Sequence, residues 1–290
     1  MTGNPKILIT GSNGMLGSNL LEELTFKNIN GFCSQELDIT NRKQVFDVLN
    51  RIKPTIIIHT AAFTDVEACE INPDKCFKVN TIGTQNLVDF CVLKKILFVY
   101  ISSTGVYGNN EDDKPHSEFN LIQPNSIHHK SKVFGEEIVK NHLERFLIIR
   151  TGWLYGGNHL NNKNFVYKRY VEGLNSSIIF SDQSQKGSPT YIKNLSNQIE
   201  ILIKENINGI FNCVDVSNGV SRYEYVKEII KQFNLNTKVE VAPKGMFKRV
   251  APVSKNESAI NYKLDLLGMN QMKDWKFALK EYIGNIKNEI

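Results

Sequence analysis

The stretch ILITGSNGMLGSNLLEEL sets Gly11, Gly14 and Gly17 between a short buried strand, KILIT at 6–10, and residues 14–27, whose apolar positions have helical spacing. The spacing is GxxGxxG. Gly11 allows a tight turn, Gly14 lets backbone approach a pyrophosphate, and Gly17 permits close packing of helix on strand. The N-terminus of the helix favours the anionic phosphates. Glycines alone also serve ordinary turns. Here they follow the first buried strand of a βαβ pattern, and that context points to dinucleotide binding.

The rest of the first half extends this pattern. GFCSQELDIT contains a second short strand, NRKQVFDVLNRIK is an amphipathic helix ending before Pro54, and TIIIHTAA is a β-branched run suited to a fully buried parallel strand. PDKCFKVNTIGTQNLVDFCVLKK is a long helix, ILFVYISS a strand, SKVFGEEIVKNH a helix and RFLIIRTGW a strand. Strands alternating with helices predict an α/β fold: a Rossmann-type doubly wound parallel sheet covered on both faces. After about residue 155 loops lengthen and the alternation becomes irregular, with helices expected at 164–172, 191–204, 221–233 and in MKDWKFALKEYI. Residues 1–155 therefore read as the dinucleotide-binding domain. Residues 156–290 read as a smaller substrate-binding region folded over it, closing a cleft.

Bulk properties bound the function. The 290 residues are 41% hydrophobic and 22% charged, ordinary for a soluble globular protein. The charge of +5 comes from scattered, Lys-rich positions. That pattern points to a solvated surface rather than a nucleic-acid or membrane patch, and it suits an anionic small molecule. The five cysteines, Cys33, Cys69, Cys76, Cys91 and Cys213, form no CxxC pair. Cys69 and Cys76 are a heptad apart, as if sharing a helix face, and read as structural thiols rather than metal ligands. The start MTGNPKILIT is too short in apolar residues for a signal peptide, and no run approaches a membrane span. A reducing cytoplasm is the expected compartment.

The end of the second strand usually separates NAD from NADP. Ser34 and Gln35 stand there, with neither an acid for a ribose 2′-hydroxyl nor an arginine for a phosphate. Asp38 follows, either as a helix cap with Thr40 or as a contact on the adenine side. The absence of a carboxylate at the strand end favours NADPH, with NADH as the alternative.

At this point the chain resembles an extended short-chain dehydrogenase/reductase, and more narrowly the dTDP-4-dehydrorhamnose reductase family of sugar-nucleotide 4-ketoreductases. The resemblance spans nearly the whole length. It is carried by TGSNGMLGSNL, LDITNRKQVFDVLNRIKPTIIIHTAAFTDVEACE, VYISSTGVYG, RTGWLYG, NKNFV, DQSQKGSPT and DWKFALKEYI. It implies that Asn13, Met15, Leu16, Asp38, Ile39, Ala61, Ala62, Ser102 and Lys132 join the three glycines around the coenzyme. Thr64, Ser103, Thr104, Trp153 and Asn164 are implied at the sugar, with Trp153 as a platform. It also implies a nucleotide-sugar substrate and a homodimer.

Three departures stand out. The family's Tyr-x-x-x-Lys is His128 followed by Lys132, DQSQKGSPT is two residues longer than usual, and the Arg-Pro element near APVSKNESAIN is replaced by Ser254 and Lys255. Carbonyl reduction needs a proton donor at the developing alkoxide. Ser103, His128 and Lys132 are the candidate catalytic residues. The imidazolium of His128 is an acid near neutral pH, but Lys132 would disfavour its charged form. The imidazole also reaches roughly 2 Å less far than a tyrosine hydroxyl, while transfer needs heavy atoms within about 3 Å or a bridging water.

Other residues have plainer expectations. His129 reads as solvent-facing, His59 as a satisfied core histidine, Tyr107 as packing and Lys168 as a solvated helix lysine. Asn80 reads either as a brace for the lysine through water or as simple burial. Besides the reductase, two readings stay open. One is a catalytically impaired regulatory or scaffold subunit, similar to the methionine adenosyltransferase beta family. The other, ranked lower because SSTGVYG has no cysteine, is a nucleotide-sugar epimerase or epimerase/reductase.

Overall fold

The computed structural model describes residues 4–108, 113–161 and 163–289. The first three residues of MTGNPKILIT and Asn162 of NKNFV lie outside them. The chain runs β1 (Lys6–Thr10), α1 (Met15–Glu23), β2 (Asn28–Phe32), α2 (Arg42–Ile52), β3 (Ile56–His59) and α3 (Val66–Ile71). Next come α4 (Pro73–Phe77), a π-turn at Lys78–Ile82, α5 (Gly83–Lys94), β4 (Leu97–Ser103), a 3₁₀ turn at Thr104–Tyr107, α6 (Ile127–His142) and β5 (Phe146–Thr151). The second half holds β6 (Trp153–Tyr155), α7 (Phe165–Asn175), β7 (Ile178–Ser181), β8 (Lys186–Gly187), β9 (Pro189–Tyr191) and α8 (Ile192–Lys204). It ends with β10 (Gly209–Asn212), β11 (Val220–Ser221), α9 (Arg222–Gln232), β12 (Lys238–Val241), α10 (Tyr262–Leu266) and α11 (Trp275–Lys287).

Six strands form one parallel sheet in the order β10-β5-β4-β3-β1-β2. Successive residues of each strand face opposite sides. Ile7, Ile9, Ile56, Ile58, Val99 and Ile149 therefore bury against apolar residues of α1, α8 and α11. Leu8, Ile57, Phe98, Tyr100 and Ile148 bury against those of α2, α5 and α6. This explains why the central strands β1, β3, β4 and β5 read as largely apolar runs, and it makes the fold the expected doubly wound Rossmann type. The chain leaves β1 for β2 on one side and reaches β3 on the other. The crevice at such a reversal, beyond the carboxyl ends of the strands, is where ligands of these sheets bind.

Several local expectations are corrected. The second strand is NINGF, ending at Phe32, and GFCSQELDIT mostly forms the turn after it. Parallel pairing with β1, from Lys6↔Asn28 to Thr10↔Phe32, holds this polar segment extended. Helix α1 stops at Glu23 because Leu24 turns extended. Cys69 and Cys76 lie on different helices. Asn72 ends α3 and caps α4, its side chain accepting from Lys75 N, with Pro73 opening α4. RFLIIRTGW is split at Gly152, where a Cβ would sit 2.1 Å from the Ser188 carbonyl oxygen. No helix among the described residues is long and apolar enough to cross a membrane.

Candidate active site

A cleft of about 800 Å³ opens at the β1/β3 reversal, lined from one end by the glycine loop and from the other by Gln185, Arg222, Arg249 and Glu257. Gly11 has φ +70°, and a Cβ there would lie 2.8 Å from Ala61 Cα. A Cβ on Gly17 would lie 2.2 Å from the Gly11 carbonyl oxygen, so this glycine lets α1 close onto its own loop. The Gly11 and Ser12 amides both donate to Phe32 O, at 2.8 and 3.1 Å, tying the loop to the end of β2. Gly14 caps α1 without a side-chain hydrogen bond. The first-turn amides of Met15, Leu16 and Gly17 thus have no capping side chain, at residues that line the cleft. Uncapped amides at a helix N-terminus, beside a loop with no side chain in the way, fit the pyrophosphate of a dinucleotide. Gly17→Ala is expected to weaken dinucleotide binding about a hundredfold by displacing this cradle. Titration of NADPH fluorescence would measure the loss, with circular dichroism to check that the fold persists.

Every residue the sequence assigned to the coenzyme lines this cleft, Asn13, Asp38, Ile39, Ala61, Ala62 and Ser102 included. Two details differ from expectation. A carboxylate does stand near the end of β2, because the turn folds Glu36 back so that its Oε2 accepts from Cys33 N at 2.9 Å. That bond holds the Glu36 carboxyl below its ordinary range. The cap of α2 is Asn41, whose side chain accepts from Gln44 N. Asp38 instead accepts from Thr40 N at 2.9 Å and Thr40 Oγ1 at 2.8 Å, fixing the turn before the helix.

His59 is a satisfied core histidine. Its Nδ1 lies 2.7 Å from Thr10 Oγ1 and its Nε2 3.1 Å from Thr84 Oγ1. The Thr84 hydroxyl donates to Asn80 O at 2.7 Å, so Nε2 carries the ring proton and Nδ1 accepts from Thr10. Thr10 in turn accepts from Ala61 N at 3.3 Å. Burial, then Lys132, lowers the His59 pKa to about 3, in keeping with this neutral tautomer. Asn80, in the π-turn, braces backbone. Its Oδ1 accepts from Phe63 N at 2.7 Å, and its Nδ2 donates to Phe63 O at 3.1 Å and Ser131 Oγ at 2.9 Å. It thereby joins the loop bearing Ala61, Ala62 and Thr64 to the helix bearing Lys132.

Helix α6 lies hard against β4 because residue 135 is glycine; a Cβ there would sit 2.1 Å from the Tyr100 hydroxyl. This approach sinks Lys132 until it is 5% exposed, with Nζ 4.2 Å from the centre of the Tyr100 ring. Burial pushes the Lys132 pKa down to about 7, against the opposing pull of Glu136. One turn earlier, His128 is 8% exposed, and its Nδ1 has no hydrogen-bond partner among the described residues. Burial first, then His129 and Lys132, holds it well below the usual histidine range. It is neutral at pH 7, so the imidazolium considered from the sequence is not the resting form.

His129 is not solvent-facing. It is 7% exposed, 3.0 Å from the Ser126 hydroxyl, and fills the space left by Gly105, where a Cβ would lie 2.1 Å from its Nε2. Ser103 ends β4 in the cleft and its Oγ accepts from Gly105 N at 3.1 Å. Ser102 Oγ donates to Glu136 at 2.6 Å, and Glu136 takes a bidentate pair from Arg150 at 3.0 and 2.7 Å. Tyr107 is buried packing. Its hydroxyl donates to Asn212 at 2.8 Å and accepts from Arg150 at 3.1 Å.

On the far side, Thr64 lines the cleft and its hydroxyl accepts from Lys163 Nζ at 2.9 Å. Thr104 is buried and absent from the cleft lining. Asn164 is fully buried and caps α7, accepting from Tyr167 N at 3.0 Å and donating to the Tyr282 hydroxyl. Lys168 is exposed on α7. Trp153 lines the cleft, but its ring is already covered by the guanidinium of Arg222, 3.4 Å from the ring centre. Sequence reasoning missed Arg222. A lone arginine at the head of a helix forms no motif, and only the tertiary stack reveals it.

A family model, the RmlD substrate binding domain, matches residues 5–288. The chain belongs to that family. A spore coat polysaccharide biosynthesis protein, SpsK of Bacillus subtilis, is 28% identical over 96% of each chain. The dTDP-4-dehydrorhamnose reductase of Aggregatibacter actinomycetemcomitans is 30% identical over 70% of this chain and 68% of its own. Among solved structures, the dTDP-4-dehydrorhamnose reductase of Bacillus anthracis in complex with NADP is 33% identical with TM-score 0.91, covering 98% of this chain and 100% of that one. The Clostridium acetobutylicum dTDP-4-dehydrorhamnose reductase is 34% identical with TM-score 0.92, covering 97% and 99%. In this family fold, residue 128 is a buried neutral imidazole and residue 132 a buried amine.

Proposed function

We propose that the protein is an NADPH-dependent reductase of a nucleotide-linked 4-keto-6-deoxy sugar, acting in the cytoplasm in deoxysugar and polysaccharide biosynthesis. The observation that carries the reading is one cleft holding both the uncapped glycine loop and the Ser103, His128 and Lys132 cluster. The glycine loop, Ala61, Ala62 and Lys132 would hold the coenzyme. Bound NADPH would supply the hydride. The chain itself must orient the ketone and deliver a proton to its oxygen. Ser103 Oγ and the neutral N–H of His128 are hydrogen-bond donors for that oxygen. A neutral imidazole gives up a proton poorly, so the proton comes from the Lys132 ammonium, whose pKa of about 7 is matched to neutral pH. Residues from 156 onward supply most of the sugar-nucleotide side, joined by Thr64, Ser103 and Trp153 from the first half, a division of labour that fits the cleft lining.

Coenzyme oxidation followed by absorbance, with thymidine-, uridine- and guanosine-linked keto-sugars, tests the reading. A flat trace with every sugar, despite tight NADPH binding, would favour a second reading. The neutral, short imidazole at residue 128 is what a subunit that binds the coenzyme without turnover would retain.

A further inference from the structure

Residues 243–253 form a strap that runs from the end of β12 to α3, along one wall of the cleft. Both ends are anchored. The Ala242 amide donates to Ser181 O at 2.9 Å, continuing the pairing of β12 with β7. At the other end the Ser254 hydroxyl donates to Asn125 Oδ1 at 3.0 Å, and Lys255 O accepts from Lys186 N at 2.8 Å. Between these anchors there is no helix or strand, and every residue from Pro243 to Val250 is exposed. Gly245 bends the strap with φ +83°, and a Cβ there would meet nothing within 4 Å. The far part of the strap is nonetheless a wall of the cleft, lined by Arg249, Ala251, Pro252 and Val253.

One carboxylate holds this wall. Glu67, in the first turn of α3, accepts from Val250 N at 2.7 Å and from Ala251 N at 3.2 Å, both on Oε2. Among the described residues these two bonds tie 243–253 to the rest of the protein, and the bond from Met246 N to Pro243 O lies within the strap itself. A segment with few buried contacts and an exposed backbone opens locally at low cost. Bonds from an amide to an ionised carboxylate are roughly twice as strong as neutral ones. Glu67 therefore decides whether the wall stays in place.

The same stretch of chain supports the other side of the cleft. One turn along α3, Glu70 Oε1 accepts from Ile127 N at 2.6 Å, at the residue before His128. Just ahead of α3, the Thr64 hydroxyl takes Lys163 Nζ. The strap and Lys163 thus both reach over from the second half and land on residues 64–67, on the helix that also fixes the head of α6. We propose that Glu67 is a positioning residue, the latch of a movable wall: bonded to it, the strap closes the cleft, and released from it, the strap opens the cleft to its ligands. The effect on turnover rests on the reductase reading above, whereas the latch itself needs no substrate.

Limited trypsin digestion of the full chain without ligand, read by mass spectrometry, tests the latch in wild type, E67Q and E67A. Lys248 and Arg249 stand beside the latched amides, so cleavage after them reports the population of the open strap. E67A should be cut there about 10- to 100-fold faster than wild type. E67Q, which keeps an acceptor oxygen without the charge, should fall between. Circular dichroism and cleavage outside the strap should be nearly unchanged. With NADPH and a nucleotide-linked keto-sugar, the sugar KM of E67Q should rise more than kcat falls, as expected for a wall rather than a reacting group. Equal strap cleavage in wild type and E67A overturns the inference. Acceleration spread over sites throughout the chain also overturns it, because Glu67 would then be an ordinary structural residue. Faster strap cleavage in the variants, with a wild type that turns over no sugar, upholds the latch and counts against the reductase reading alone.

Discussion

Lys132→Met is expected to lower kcat by about 10²–10⁴ and, at the same time, to make the protein harder to unfold at neutral pH. The first effect follows from losing the group proposed to store the proton. In wild type, kcat should be highest while Lys132 is protonated and fall as pH rises through about 7; that limb should vanish in the variant. A proton supplied by His128 would give a fall at lower pH, because the imidazole is held well below 6.5. The second effect follows from linkage. Burial depresses the folded-state pKa of Lys132 from 10.5 to about 7. Between these values the unfolded chain binds more protons than the folded one, so wild-type stability rises with pH across that window. The penalty is fully present below pH 7, and there methionine should gain most. Single-turnover kinetics and urea unfolding across the pH range check both halves. A variant that is less active and less stable at pH 6 would count against a buried, strained amine.

Glu136→Ala is expected to destabilise the fold by about 3–5 kcal/mol. Glu136 is fully buried and accepts two bonds from Arg150 and one from Ser102. Without it, a fully buried guanidinium keeps only the Tyr107 hydroxyl at 3.1 Å among these partners, and an uncompensated buried charge is what makes such truncations costly. The carboxylate also raises the Lys132 pKa. Glu136→Gln, which keeps the shape, should therefore move the pH limb of kcat downward. Thermal or urea denaturation reads the first effect and the pH–rate profile the second. An unshifted profile in the glutamine variant would show that Lys132 does not set the limb.

The frame of the molecule was legible because a parallel strand buried on both faces must be apolar along its body, as the III of IIIH and the LFVYI of LFVYISS are. NINGF escaped that rule. It is an edge strand, half-buried and polar, and only pairing with β1 reveals it. The long helix from Pro73 to Lys94 was legible, but its π-turn was not, because the extra residue in the turn is compensated by the Asn80 clamp rather than by any sequence period. That the glycine loop and the Ala61–Ala62 pair line the cleft was legible, since close backbone approach demands glycine and alanine at fixed places. The end of the cleft around Ser103, His128 and Lys132 was harder. Two histidines at a helix start look exposed, and what buries His129 is Gly105 on a different element. The Arg222–Trp153 stack joins residues 69 positions apart without any local pattern. Asn164 carries the ordinary mark of a helix cap, and its fully buried side chain serves that end.

The most direct measurement follows the hydride. Incubation with NADPH carrying deuterium at its transferable position and a nucleotide-linked 4-keto-6-deoxy sugar, followed by mass spectrometry and NMR, should find one deuterium on sugar C4 for each NADP formed. Tight coenzyme binding with no deuterium in any sugar offered would contradict the account.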